Sequence, residues 1–313
     1  MFVFMGTPSG PCLWEIDKST FEVTPRGKLF PNNYPSELTN STAEGWYFST
    51  FDPYRIYCPT DDYLRYYNII TKDLKMVVHV ENFSYAYGVE GSTYALRQWH
   101  SSYDETVHSA TALQRVEDGA WPKIGSFVCR SIPSWEHRYF PAQGVLDECQ
   151  IDKSGRWLVV KENDDHRIID LATDVQTPVT DADGALGHSD NGFGYAIGAD
   201  NWQDLAAWRL HNFIDGTSQI IYETPWDEQI LHVSHCNAEL SPAANQWVLG
   251  SGTDPYLKKI YLDGSFVDSL VAPSMCVGSD YDNLPKASLD PYGEFAFWIR
   301  GGARFDAFLV RVP

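Results

Sequence analysis

A turn that recurs about every 48 residues, an aromatic-rich composition crowded with glycine and proline, and the want of any helical period together predict an all-β chain. The expected architecture is a β-propeller of four-stranded antiparallel blades, seven in number with six as the alternative. Strands from both chain termini are expected to close it into a single domain over residues 1–313. Of the 313 residues, 43% are hydrophobic, which excludes a disordered chain and one that needs disulfide staples. Eleven Trp, 18 Tyr and 16 Phe favour pleated, half-buried surfaces, and 23 Gly with 18 Pro supply the turns between them.

The elements follow in chain order. Phe2-Val-Phe-Met and Cys12-Leu-Trp-Glu-Ile-Asp read as strands of an opening blade. Phe51-Asp-Pro-Tyr-Arg-Ile-Tyr, then Leu64-Arg-Tyr-Tyr-Asn-Ile-Ile, gives the first strand–turn–strand unit, and Tyr103-Asp-Glu-Thr-Val-His a weaker copy. Ile151-Asp-Lys-Ser-Gly-Arg-Trp-Leu-Val-Val repeats the pattern, as does Asp190-Asn-Gly-Phe-Gly-Tyr-Ala-Ile-Gly. Leu240-Ser-Pro-Ala-Ala-Asn-Gln-Trp-Val-Leu-Gly follows, and Lys286-Ala-Ser-Leu-Asp-Pro-Tyr-Gly with Glu294-Phe-Ala-Phe-Trp-Ile-Arg ends the series. Asp opens these turns and Pro fits their second position. Residues 30–45 and 115–126 read as loops.

The net charge is −19, and no block of Lys and Arg offsets it. Nucleic acid and anionic membrane surfaces are therefore excluded as partners, leaving a saccharide or a protein. No apolar run approaches the ~20 residues of a membrane span. The start, Met1-Phe-Val-Phe-Met-Gly-Thr-Pro, lacks the basic region of a signal peptide, so a soluble chain is expected. Cysteines at 12, 58, 129, 149, 236 and 276 show no CxxC spacing and are expected as buried free thiols.

Strand side chains alternate faces, so positions counted back from each turn separate into two sets. Four residues before stand His100, Glu148, Asn237 and Lys286; two before stand Ser102, Gln150, Glu239 and Ser288. The odd positions Cys149, Ile151, Cys236, Ala238, Ala287 and Leu289 are mostly apolar. The polar set is expected to face a central channel, with Glu148 and Asn237 placed to bind substrate. Trp99, Trp135 and Trp202 are candidates to stack on sugar rings. His188, His232 and His235 cluster before two consecutive turns, where converging imidazoles suit a divalent metal such as Mn, Fe or Zn. Their alternative role is to hydrogen-bond backbone and fix loops. His79, His137, His166 and His211 read as surface or strand-packing groups. Asp61-Asp62, Asp164-Asp165 and Asp181-Ala-Asp183 read as solvated turn residues, and no G-x-S-x-G, Walker or EF-hand pattern occurs.

The turns "DPYG", "DKSG" and "SPAA" resemble divergent copies of the WD40-like, TolB-type (PD40) repeat. Gly187-His-Ser-Asp, His232-Val-Ser-His-Cys-Asn and the closing stretch from Leu284 resemble bacterial propellers related to oligogalacturonate lyases. That resemblance implies a His-based metal site, here His188, His232 and His235, that neutralises a uronate carboxylate for β-elimination. The Gln-x-x-His-x-His ligand pattern of those lyases is absent, and Lys286 stands where relatives carry a His. On the lyase reading, Arg209 or Lys286 helps neutralise the carboxylate and His100 acts as base. The rival reading is a non-catalytic module whose rim loops bind protein partners or glycans.

Overall fold

A computed structural model describes residues 1–5, 11–30, 46–59, 63–79, 94–130, 136–163, 165–180, 184–200, 203–235, 246–253, 256–272, 284–300 and 306–313. The fold is an all-β propeller of seven antiparallel blades. Among the described residues there is no α-helix; a 3-10 turn spans Trp226–Glu228. No helix there is long and apolar enough to cross a membrane. The chain divides into two compact units, Met1–Cys149 and Gln150–Pro313.

In the first unit, β1 (Phe2–Met5), β2 (Cys12–Ile16) and β3 (Val23–Lys28) form a three-stranded sheet. A four-stranded sheet follows from β4 (Tyr47–Phe48), β5 (Arg55–Pro59), β6 (Tyr63–Asn68) and β7 (Leu74–His79). The third sheet comprises β8 (Tyr94–Ser101), β9 (Val107–Gln114), β10 (Lys123–Arg130) and β11 (Glu136–Pro141). β10 thus begins inside the expected loop at 115–126, whose turn is confined to residues around Val116–Ala120.

The second unit opens within β12 (Leu146–Ile151), which pairs in order with β13 (Trp157–Glu162), β14 (Asp165–Asp170) and β15 (Gln176–Val179). Next come β16 (Ser189–Asn191), β17 (Tyr195–Asp200), β18 (Ala206–Asn212) and β19 (Ser218–Thr224). β20 (Ile230–Ser234), β21 (Trp247–Gly252), β22 (Leu257–Tyr261) and β23 (Val267–Val271) make the sixth sheet. The last has β24 (Ser288–Leu289), β25 (Phe295–Arg300) and β26 (Asp306–Arg311). Among the described residues the first three strands and the last three each form a three-stranded sheet. Met1 is held within the first sheet by its amine donating to Ile16 O at 2.9 Å and its carbonyl accepting from Ile16 N at 2.7 Å.

The recurring turn has a physical basis. Asp152 Oδ1 accepts from the N–H groups of Arg156 (3.0 Å) and Trp157 (2.9 Å). Asp290 Oδ1 repeats this with Glu294 (2.7 Å) and Phe295 (2.9 Å). Gly155 and Gly293 take the left-handed position three residues into each turn. In the first unit Ser102 does the same work, its Oγ accepting from Val107 N at 3.1 Å, and Glu105 occupies the left-handed position. The equivalent residue is thus Ser102, not Asp104.

Each unit carries its own apolar clusters between sheets, such as Leu64, Leu96, Ala110 and Phe127 in the first. In the second, Ile197, Trp208, Val248 and Ile260 form another. Cys12, Cys58, Cys129 and Cys149 are free thiols, and burial pushes Cys129 and Cys149 up to about 12. They behave as packing groups.

Candidate functional site

The expected site residues separate on the structure. Asn237 and Trp202 lie outside the described residues, as do Trp135 and the acids at 61, 62, 164, 181 and 183. Trp99 is 1% exposed, packed edge-on against Phe127 in the core, so no face of its ring is open to a sugar. Its inward turn comes from a bulge between Arg97 and His100, where Gln98 takes φ 53°. His100 sits partly buried on β8 opposite Ser109, and Glu148 partly buried on β12 beside the buried Cys149. The polar register holds best before the last turn, where Lys286 and Ser288 are exposed and Ala287 is buried between them.

Arg209 is committed elsewhere. It lies on β18, third in its sheet, and its Nε donates to the fully buried Asp200 carboxylate at 2.8 Å, with Nη1 on Ser218 Oγ at 3.1 Å. A guanidinium locked to a buried carboxylate does not serve as a free cation for a ligand.

What the second unit does bring together are His188, His232 and Lys286. His188, exposed, precedes β16, and His232 projects from β20; their ring centroids are 5.3 Å apart at 46°. Lys286 is delivered by the approach to β24, which is pinned by Ala287 N donating to Ser251 Oγ (3.1 Å) and Leu289 N to Ser234 Oγ (3.0 Å). Burial first, then the charges of His188 and Lys286, pushes the His232 imidazole down to about 4. At neutral pH the ring is therefore uncharged.

His235 belongs to a different group. It is three residues beyond His232, an odd spacing that turns the two side chains to opposite faces of an extended chain. Its Nδ1 donates to Asp190 Oδ2 at 2.9 Å, and the Tyr195 ring lies 5.4 Å away. The imidazole is 4% exposed and Asp190 35%. Burial alone would raise the Asp190 carboxyl, but the charge and hydrogen bond of His235, with Lys153 and the Asn191 N–H, outweigh it and hold it well below the usual carboxylate range. Asp190 is a site-adjacent residue the sequence reading passes over, although it stands in the quoted Gly187-His-Ser-Asp.

Among the described residues no three His, Cys, Asp or Glu side chains converge as a metal would require. His188 and His232 supply two donors, short of the three protein ligands a catalytic metal takes, and His235 points to Asp190 instead. Of the three expected histidines, the described residues thus set His188 beside His232 and His235 on Asp190.

No family profile matches the sequence, and no curated protein does. Solved structures do match. An oligogalacturonate lyase in complex with manganese aligns with a TM-score of 0.65 at 12% identity, over 97% of this chain and 83% of that one. Dihydro-heme d1 dehydrogenase NirN, in complex with DHE, aligns at 0.59 and 10% identity, over 99% of this chain and 70% of that one. TolB from Acinetobacter baumannii aligns at 0.48 and 11%, over 98% and 75%. The chain is thus a propeller with an oligogalacturonate lyase among its structural neighbours, as its closing stretch leads one to expect. At such identities the likeness is one of fold.

Proposed function

We propose that the His188–His232–Lys286 group receives the carboxylate of an acidic saccharide and supports lyase-like β-elimination at the carbon beside it. The observation that carries this reading is the uncharged His232 imidazole set against a lysine ammonium on a protein of net charge −19. A polyanionic sugar is repelled by most of such a surface, so a local cation beside a neutral base marks where its carboxylate is tolerated. Lys286 pairs with the carboxylate and draws electron density from the adjacent carbon. His232 takes the proton from that carbon, the electron pair forms the ring C=C, and the glycosidic C–O bond on the next carbon breaks, the alkoxide leaving with a proton from solvent. No step is assigned to a metal or to Arg209, and His100 has no role in this scheme.

The test is incubation with oligogalacturonides while following the near-ultraviolet absorbance of the unsaturated uronate. The reading expects product from the wild type, loss of kcat in His232→Ala, and a raised KM in Lys286→Ala. Absence of product together with saturable, Lys286-dependent binding of the same sugars would instead support the second reading, a non-catalytic glycan-binding propeller. Two imidazoles with no third ligand among the described residues, and an arginine consumed by Asp200, favour that second reading over other chemistries. Neither product nor binding would remove both.

A further inference from the structure

The segment that carries His188 is short of regular structure, yet four of its five carbonyls accept a hydrogen bond. Residues 184–188 run from Gly184 into β16. Lys161 Nζ donates to Gly187 O at 2.9 Å, His166 Nε2 to Leu186 O at 2.6 Å, and His211 Nε2 to Gly184 O at 2.7 Å. All three side chains are buried. Lys161 and His166 are direct cross-strand partners on β13 and β14, so they reach the segment from one sheet; His211 on β18 reaches it from the next. The far end is closed by backbone, with Gly187 N on Ala199 O at 2.8 Å and Ala199 N on His188 O at 3.0 Å. Gly184 takes φ +80° and a Cβ there would strike Arg209, whose side chain is itself fixed by Asp200.

From this geometry we infer that Lys161, His166 and His211 are positioning residues whose common task is to hold His188 against His232. A surface loop does not ordinarily recruit three buried cationic or imidazole donors from two sheets, because burying such groups is costly unless their hydrogen bonds are made. Three donors on three carbonyls within four residues fix the path of the chain immediately before His188. Both imidazoles must carry the proton on Nε2, since a carbonyl only accepts. His166 and His211, read from sequence as surface or strand-packing groups, are buried clamp residues. The inference rests on the proposed function only for the use made of His188; the placement itself is independent of any substrate.

The experiment is NMR on the full chain without saccharide, using the cross-peak between the His188 and His232 ring protons and the His188 ring shifts. His166→Gln and His211→Gln retain an N–H donor; His166→Phe, His211→Phe and Lys161→Met do not. The expected result is that each donor-deleting variant weakens the cross-peak at least two-fold and moves the His188 shifts toward those of a mobile imidazole, while the Gln variants keep both near wild type. Circular dichroism and the urea midpoint identify any variant that fails to fold, and the Gln–Phe contrast at a second position then decides. An undiminished cross-peak in folded donor-deleting variants overturns the inference, as does equal loss in Gln and Phe variants. Because no sugar is present, failure of the oligogalacturonide assay leaves this outcome unaffected.

Discussion

Replacing Asp152 by alanine should cost the second unit about 4 kcal/mol. The carboxylate is completely buried and accepts four hydrogen bonds: Oδ1 from Arg156 N and Trp157 N, Oδ2 from Ser154 Oγ at 2.6 Å and Gly194 N at 2.8 Å. Ser154 Oγ and Arg156 N are near enough to the surface to turn to water. Gly194 N is left buried and Trp157 N half-buried, and each orphaned donor away from water costs ~1–3 kcal/mol. Asp290 offers the internal control for the turn itself. Its carboxylate holds the same pair of turn amides, of which Phe295 N is buried, so Asp290→Ala should cost about 2 kcal/mol. Asp152→Asn should fall between, because one amide oxygen still serves the turn while the NH2 is set against the Gly194 N–H. Thermal melts should resolve these as drops on the order of 10 °C for Asp152→Ala and half that for Asp290→Ala. Hydrogen exchange adds a local reading: the Gly194 amide should lose protection in both Asp152 variants. If Asp152→Ala proved no costlier than Asp290→Ala, or Gly194 stayed protected, the claim that this carboxylate ties consecutive sheets together would be wrong.

Other consequences can be measured in the same way. Burial pushes His108 down to about 4, and its Nδ1 meets Ser101 Oγ at 2.6 Å. Between that value and the ordinary 6.5 the unfolded chain binds a proton the folded chain refuses, so stability should fall as pH drops through that window, by up to ~3 kcal/mol, and His108→Gln should flatten the dependence in urea titrations at stepped pH. Gly184→Ala, placed at φ +80° against Arg209, should lose ~1–2 kcal/mol from backbone strain alone and show it as a lowered melting temperature. Glu162 and Arg167 form a buried pair at 3.0 Å, so Glu162→Ala, which strands the guanidinium, should cost ~3–5 kcal/mol in equilibrium denaturation, whereas a Glu162→Ala, Arg167→Leu double variant should recover part of it.

The blade count is readable in the sequence because the turn is a chemical device with few solutions. Asp152 and Asp290 announce it, each with a glycine three residues on at the left-handed position. Where serine replaces aspartate the signal blurs: at Ser102 the neighbouring Asp104 is the more visible acid, and the register slips by two. His100 therefore stands level with Gln150 and Ser288 rather than with Glu148 and Lys286. The opposed directions of His232 and His235 follow from their odd spacing and are legible without a structure. The fates of Arg209, His166 and His211 are not, because their partners are a carboxylate one strand away or bare carbonyls in a loop, and no residue pattern encodes a carbonyl.

The clamp on residues 184–188 also orders events in time. Its anchors come from β13, β14, β17 and β18, so the segment lies between two sheets in sequence and depends on both. A folding intermediate with only the sheet of β13 would hold Lys161 and His166 ready with nothing fixing Gly184 or the carbonyl of His188. In a chain refolding from denaturant, His188 should accordingly settle against His232 late, after the strand pairing that circular dichroism follows.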